Sequence, residues 1–209
     1  MSYHEVVSTT VDHGQGRLRV LTLGHSNHSV DHFLDLLRRH SVEVIADIRS
    51  YPYSKYASHF DHKNLARSLP AAGVQYVYLG AELGGRPRGN AYYDAEGHVL
   101  YDKVAESGAF KEGLARLEEK LRHCVVALLC AEEDPTACHR RLLVGRVLAG
   151  RGVAVSHVRG DGQLQSEDEL SAAEPGSNQL GLFDEIEAPA WKSIPSVSLK
   201  RRQSSSSAF

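Results

Sequence analysis

Hydrophobic residues along this chain gather into five short runs, and segments with helical periodicity separate them. The apolar runs cover residues 19–23, 42–48, 74–79, 125–130 and 153–158. Four of the five are rich in valine or isoleucine and nearly continuous, which is typical of strands covered on both faces. Helical patterns occupy residues 30–39, 61–69, 108–122 and 134–150. This alternation predicts an α/β domain with a Rossmann-like parallel sheet of about five strands and helices on both faces.

The hydrophobic pattern stops near residue 160, and the composition changes at the same point. Ser, Glu, Gln, Pro and Gly dominate the remainder, which ends in a serine-rich stretch. A segment of this composition buries too little apolar surface to offset its conformational entropy. We therefore predict a flexible N-terminus over residues 1–17, an α/β domain over residues 18–160 and a mostly disordered tail over residues 161–209.

Composition and charge narrow the class of protein further. A net charge of −2 provides no global attraction to nucleic acid or to an anionic membrane, so a contact with phosphate must come from a local patch. No apolar run reaches the roughly 20 residues of a membrane span, and we predict no membrane partner. Three cysteines form no even disulfide framework, which indicates reduced thiols and a cytoplasmic protein.

Polar and reactive side chains follow each of the five predicted strands. Ligands of an open parallel sheet bind beyond the carboxyl ends of its strands, so these residues predict a site. The candidates for nucleophilic or acid–base chemistry are His25, Asp47, Cys130, Glu132, Cys138 and His139. The candidates for binding phosphate or another part of a substrate are Ser26, Arg49, Ser50, Ser54, Arg86, Arg140 and His157. Arginines suit phosphate because their guanidinium groups form forked, charge-assisted hydrogen bonds.

Several of these residues also have a purely structural interpretation. Asp47 suits a general base or a partner that orients Arg49, but it could equally cap a turn. The arginines could be surface charges. A single histidine is more often a hydrogen-bonded structural residue than a catalytic one.

The densest group of reactive side chains lies between the fourth strand and the fourth helix. Cys130 ends the strand, and Cys138 is predicted to lie in the first turns of the helix. The amino end of that helix, together with His139 or Arg140, would lower the pKa of a thiol and make it a better nucleophile. A buried and inert thiol is the alternative. Cys124 precedes the strand and is predicted to be structural.

Three known layouts come near this turn without matching it. The phosphatase loop places its arginine much closer to its cysteine than Arg140 is to Cys130, and the compact loop of rhodaneses is absent. Zinc deaminases need the motif Pro-Cys-x-x-Cys, and here Pro135 is followed by Cys138 without the cysteine directly after the proline. We predict no cofactor, with zinc bound by Cys130, Cys138, His139 and His25 as the alternative.

Four short motifs in the same order resemble the domain of unknown function family 488. They are Gly24-His25-Ser26, Asp47-Ile48-Arg49-Ser50 with Ser54, Leu83-Gly84-Gly85-Arg86, and Cys130-Ala131-Glu132 followed by Cys138-His139-Arg140. The resemblance runs from about residue 21 to residue 158. It implies that the matched polar residues form the shared site of the family, but it implies no particular activity. Family members are often labelled as DNA-repair proteins.

The predicted tail contains a second recognisable motif. Gln179, Leu180, Leu182 and Phe183 resemble the peptide by which bacterial proteins bind the sliding clamp. In such a peptide two apolar anchors enter a groove while the glutamine forms hydrogen bonds at its rim. Packing of this apolar patch against the domain is the alternative. The motif predicts a partner at replicating or repaired bacterial DNA.

Together these patterns predict a bacterial DNA-maintenance enzyme that acts on a phosphate-bearing nucleotide or nucleic acid and is recruited by the clamp. One alternative is a sulfur-transfer or redox enzyme that uses Cys130 and Cys138. The other is a non-enzymatic adaptor that the tail recruits to the clamp.

Overall fold

A computed structural model describes residues 17–54, 56–173 and 191–194. These residues form a six-stranded sheet in the order β3-β2-β4-β1-β5-β6. The strands are β1 (Arg19–Gly24), β2 (Val44–Asp47), β3 (Gln75–Tyr78), β4 (Val126–Cys130), β5 (Ala154–Val158) and β6 (Leu164–Ser166). The helices are α1 (Val30–Arg39), α2 (His62–Ser68), α3 (Tyr101–Glu106), α4 (Gly108–Leu121), α5 (Arg146–Gly150) and α6 (Glu167–Ala173). The predicted α/β class is confirmed, but β6 pairs antiparallel with β5 and makes the sheet mixed.

Helices cover both faces of the sheet and bury two apolar layers. In β1, Val20 belongs to the layer beneath α3, α4 and α5, whereas Leu21 and Leu23 belong to the layer beneath α1 and α2. This alternation follows from the two-residue period of a strand. Helix α1 turns Phe33 and Leu36 towards the sheet, at the spacing of one helical face.

The strand order determines where the functional groups meet. β4 lies between β2 and β1, and its last residue, Cys130, pairs with Gly24 of β1. On the other side, Asp47 ends β2 opposite Leu129. The chain leaves β1 towards one edge of the sheet and leaves β4 towards the other, which makes this a topological switch point. The ends of three strands therefore surround Cys130.

The helix predicted to start at Asp134 is interrupted. Asp134 caps a single 3₁₀ turn over Pro135–Ala137, and Cys138 then adopts an extended conformation. A π-helical turn over Arg140–Gly145 follows and leads into α5. The prediction of one continuous helix was wrong because the spacing of apolar residues cannot reveal the hydrogen bonds that Arg140 forms with the carbonyls of Glu132 and Glu133. Its guanidinium reaches back to backbone carbonyls that precede the turn, so the chain has to reverse before the helix begins.

The ordered domain also extends beyond residue 160. β6 and α6 continue it past residue 161, where the tail was predicted to start. Leu170 is the only residue of α6 that is buried. Polar contacts hold the helix instead, because Glu167 accepts hydrogen bonds from Arg141 and His157. Hydrophobic patterning cannot reveal an element attached in this way.

A short C-terminal segment packs against the domain as well. Trp191 donates a hydrogen bond from Nε1 to the carbonyl of Leu142 over 2.7 Å, and Ser193 pairs with Val99. The clamp-like motif, residues 179–183, lies outside the described residues. Among the residues that the structure describes, no helix is long and apolar enough to cross a membrane.

Candidate thiol site

A cavity of about 200 Å³ opens at the carboxyl edge of the sheet. Its lining consists of Arg49, Ser50, Tyr51, Gly85, Arg86, Cys130, Ala131, Glu132, Ala137, Cys138 and His139. We call it the thiol cavity. It brings together residues from three of the four family-like motifs. Pockets for drug-sized ligands usually exceed about 300 Å³, so this one suits a small molecule or one functional group of a larger substrate.

Both buried thiols face the same imidazole nitrogen. His139 Nδ1 lies 3.6 Å from the sulfur of Cys130 and 4.0 Å from that of Cys138. The other ring nitrogen, Nε2, lies 3.0 Å from the carbonyl oxygen of Ile48. A carbonyl can only accept, so Nε2 carries the proton and the neutral ring presents Nδ1 as an acceptor. A proton can therefore pass from the Cys130 thiol to His139 and leave a thiolate beside an imidazolium.

The electrostatics of the cluster single out Cys130 as the thiolate. The pKa of Cys130 lies well below its usual value because the Cys138 thiol donates a hydrogen bond to it and because His139 and Arg140 add positive charge. Burial, followed by the neighbouring Cys130, raises the pKa of Cys138. Burial opposes a charge on His139, but the negative charge of Cys130 prevails and raises the pKa of the imidazole. The two cysteines thus have different roles.

Glycine in the Leu83-Gly84-Gly85-Arg86 motif allows this cluster to form. A Cβ on Gly85 would lie 2.6 Å from Cγ and 2.9 Å from Nδ1 of the His139 ring. Real Cβ atoms essentially never come this close, so any other residue would displace the imidazole. Gly85 is a site residue that the sequence reasoning missed, although it lies within a quoted motif. Another is Tyr51, which follows Ser50 directly and also lines the cavity.

Asp47 orients Arg49 rather than facing the thiol cavity. The fully buried carboxylate accepts hydrogen bonds from Nε and Nη2 of Arg49 at 2.9 and 2.6 Å, and a third from the Tyr76 hydroxyl at 2.7 Å. Its predicted role as an acid or base has no geometric support, whereas its alternative role as an orienting partner does. Arg49 also binds the carbonyl of Phe60. Nη1 of Arg49 has no hydrogen-bond partner among the described residues, so it is available to a ligand in the cavity.

The structure places Arg140, a predicted phosphate-binding residue, outside the lining of the thiol cavity. It is fully buried, and its two terminal nitrogens bind the carbonyls of Glu132 and Glu133. The guanidinium therefore shapes the loop over the end of β1 and does not line the thiol cavity. A Cβ on Gly24 would collide with the Glu132 carbonyl, which explains a glycine at that position.

Four further predicted residues lie outside the lining of the cavity: His25, Ser26, Ser54 and His157. His25 stacks on Phe60 and donates from Nδ1 to the carbonyl of Ser26, and burial, with Arg49 second, lowers its pKa to about 4. Ser54 accepts hydrogen bonds from backbone amides of its own loop and stabilises a turn there. His157 is fully buried between Thr22 and Glu167. Glu132, by contrast, is exposed at the rim of the cavity.

The same cluster has donor atoms suited to a metal ion. The ligand atoms of Cys130, Cys138 and His139 all lie within 4.8 Å of one another. Thiolates and an imidazole oriented by a backbone carbonyl are ligands that zinc prefers. His25, the fourth ligand of the zinc alternative, lies outside this group.

Fold and site define an α/β protein with a buried thiol–imidazole centre at the switch point of its sheet. The family model described as domain of unknown function DUF488 matches residues 29–147, which is more than half of the chain. The protein therefore belongs to this family, as the motifs predicted. Neither a curated protein nor a solved structure matches it.

Proposed function

We propose that this protein is a thiol-dependent enzyme in which Cys130 is the nucleophile. The observation that carries the proposal is the 3.6 Å contact between the Cys130 sulfur and His139 Nδ1 at the wall of an open cavity. A nucleophilic cysteine needs a neighbouring base and a reduced pKa, and both are present here. An inert buried cysteine needs neither a polar partner nor a cavity.

Each residue of the cluster has a separate part in the reaction. His139 accepts the proton of Cys130 at Nδ1, and Cys138 stabilises the thiolate by donating a hydrogen bond. The Cys130 sulfur forms a bond to an electrophilic atom of the substrate, and the leaving group departs with the electron pair of the broken bond. It takes up the proton from His139. Arg49 and Arg86 line the same cavity and receive an anionic part of the substrate.

The second cysteine extends this chemistry when the electrophilic atom is sulfur. His139, which is neutral again, accepts the proton of Cys138 at Nδ1. The resulting thiolate attacks the sulfur of Cys130, and the substrate sulfur leaves as a thiolate. The product is a Cys130–Cys138 disulfide, which a cellular dithiol reduces again. All three cysteines are free in the structure, so both thiols of the cluster are available for this exchange. The proposal thus favours the sulfur-transfer or redox alternative over the other reaction types.

We extend the proposal to the setting in which the enzyme works. Arginine side chains at the thiol cavity support a phosphate-bearing nucleotide or nucleic-acid substrate, and the motif at residues 179–183 would recruit the enzyme to the bacterial sliding clamp. A pull-down of the clamp tests recruitment. We expect Phe183→Ala to lose clamp binding, and unchanged binding would remove this part of the proposal. A domain without chemistry that still binds the clamp would favour the adaptor alternative.

The nucleophile is tested by substoichiometric alkylation of the full chain with iodoacetamide. Mapping of the labelled peptides by mass spectrometry between pH 5 and 8 shows which cysteine reacts first. We expect Cys130 to be labelled before Cys124, although Cys124 is the more exposed of the two. Labelling of Cys124 first at every pH would overturn the proposal.

Metal analysis of the same protein distinguishes the zinc alternative. Stoichiometric zinc, with cysteines that react only after a chelator is added, would assign Cys130, Cys138 and His139 as ligands and would also overturn the proposal. Metal-free protein with rapid labelling of Cys130 supports it.

A further inference from the structure

Three exposed tyrosine side chains lie in the loop that contributes Tyr51 to the thiol cavity. Tyr51, Tyr53 and Tyr56 lie in the loop after β2 and are 61%, 64% and 87% exposed. Leu164 is the other large apolar side chain with high exposure in the described part of the chain, and it lies on β6. Three exposed rings in one loop beside a cavity indicate a binding surface rather than scattered surface residues.

A second cavity of about 350 Å³ adjoins the thiol cavity. Ser50, Tyr51 and Arg86 line both of them, so the two spaces meet at these side chains. Tyr92 and Arg88 line only the second, which we call the tyrosine cavity. A ligand of sufficient length can therefore occupy the tyrosine cavity and extend past Arg86 to Cys130.

Two arginines, Arg86 and Arg88, bring positive charge to the walls of these cavities. Neither Arg86 nor Arg88 forms an ion pair with any residue that the structure describes. Glu82, a carboxylate that lines the tyrosine cavity, is paired with Arg116. The segment that joins the two arginines is held in place, because the Tyr93 hydroxyl donates a hydrogen bond to the carbonyl of Pro87 over 2.8 Å.

We propose that the tyrosine cavity binds the base of a nucleotide unit and that Arg86 and Arg88 hold its phosphate. The inference rests on the proposed function, since it names the substrate class of the same site. Stacking on a tyrosine ring suits any base because every base has an aromatic face, and guanidinium groups match phosphate oxygens. A base must be unpaired to stack in this way, so duplex DNA is excluded as the ligand. Free nucleotides and single-stranded nucleic acid share the required chemistry.

Fluorescence anisotropy of a labelled oligothymidylate tests this site with the full chain. The wild-type protein and Cys130→Ser are both titrated, so that binding is measured apart from thiol chemistry. Thymidine monophosphate, thymidine and inorganic phosphate serve as competitors. We expect the monophosphate to compete better than thymidine or phosphate alone, because it supplies both the base and the charge. If thymidine monophosphate competes as strongly as unlabelled oligothymidylate, the ligand of the site is a free nucleotide. If it competes more weakly, the ligand is a single-stranded nucleic acid.

Matched variants locate the binding to the tyrosine cavity. We expect Tyr51→Ala to weaken binding by about tenfold or more, and Tyr51→Phe to retain it because the ring remains. Tyr56→Ala removes an exposed ring that lines neither cavity and is expected to change binding by less than about twofold. Arg88→Ala should weaken binding, whereas Arg122→Ala, with the same charge change at the end of α4, should not.

The results separate this inference from the thiol proposal. Absence of binding, equal effects of Tyr51→Ala and Tyr56→Ala, or equal competition by inorganic phosphate would each overturn the nucleotide site. If Cys130→Ser binds the oligothymidylate but Cys130 of the wild type is alkylated slowly, the nucleotide site stands and only the assignment of Cys130 as nucleophile is removed.

Discussion

Two buried histidines, His139 after β4 and His157 on β5, have pKa values that shift in opposite directions because their surroundings differ. His139 lies beside two thiols at an open cavity, and its pKa is raised, against the effect of burial, by the charge of Cys130. His157 on β5 contacts Thr22 and Glu167, and its pKa is lowered, chiefly by burial. The first histidine is poised to gain a proton and the second to remain neutral.

The difference shows that polar content alone does not define a functional site. Glu167 connects His157 to Arg141 and Ser171, and we call this group the α6 network. Its hydrogen bonds are satisfied within the protein, and its histidine lines neither the thiol cavity nor the tyrosine cavity. A closed network stabilises the position of α6, whereas the thiol cluster places a thiolate where a ligand in the cavity can reach it.

The largest expected effect concerns the thiol cavity. Cys130→Ser should abolish the fast-reacting thiol and any enzymatic activity, while the free energy of unfolding changes by only about 1 kcal/mol because serine retains the size of the side chain. Iodoacetamide kinetics and chemical denaturation measure the two quantities. Cys124→Ser is the control and should keep the fast phase. Persistence of that phase in Cys130→Ser would contradict the assignment.

The opposite result is expected for the α6 network. Glu167→Gln should lower the free energy of unfolding by about 2–3 kcal/mol, because it removes a charged partner from the buried side chains of Arg141 and His157. Cys130 should react as in the wild type. Asp168→Asn makes the same chemical change on the exposed side of α6 and should have little effect. Equal destabilisation by both variants would show that the network is not what holds the helix.

The pH dependence of stability sharpens this prediction. The hydrogen bonds of Glu167 with His157 and Arg141 overcome burial and lower the pKa of its carboxyl group from 4.5 to about 2. A lowered carboxyl pKa contributes stability above the ordinary value, and this contribution disappears as the pH falls through the folded-state value. Denaturation of wild type and Glu167→Gln should therefore differ most above about pH 5 and converge towards pH 2. A difference independent of pH would contradict a role for the charged carboxylate.

A glycine exchange tests the packing beneath the thiol cluster. Gly85→Ala should cost about 2 kcal/mol of stability and slow the alkylation of Cys130, because the new Cβ displaces the imidazole of His139. Gly108→Ala is the matched control, since a Cβ there meets no atom within 4 Å. Denaturation and alkylation rates of the two variants give the comparison. Normal reactivity in Gly85→Ala would mean that His139 does not act on Cys130.

The smallest expected effect separates the two cysteines of the cluster. Cys138→Ala should raise the pKa of Cys130, because the thiolate loses a hydrogen-bond donor. The midpoint of the alkylation rate against pH then moves to higher pH. Cys138→Ser keeps a donor and should restore most of the shift. An unchanged midpoint in the alanine variant would show that Cys138 does not stabilise the thiolate.

The sequence predictions are accurate where an element depends on neighbouring residues of the chain and fail where it depends on tertiary contacts. Helix α1 spans residues 30–39 as predicted, because its apolar face and its Ser29 cap are local features. The five parallel strands are within a few residues of the predicted runs, because each is a continuous apolar segment. The break before Arg140 was missed because it depends on hydrogen bonds from the guanidinium to backbone carbonyls. The attachment of α6 was missed because it depends on polar contacts between side chains that are separated in the sequence.

The sequence by itself determined the α/β class, the carboxyl edge as the position of the site and the residue types that meet there. These properties follow from hydrophobic periodicity and from the common direction of parallel strands. Only the tertiary structure decided which side chains face a ligand. It directed Arg140 and Asp47 to partners within the protein, left Arg49, Arg86 and Cys130 at the cavity, and enclosed His157. The physical reason is that a buried charge must find a partner, and only the folded chain specifies which partners lie within reach.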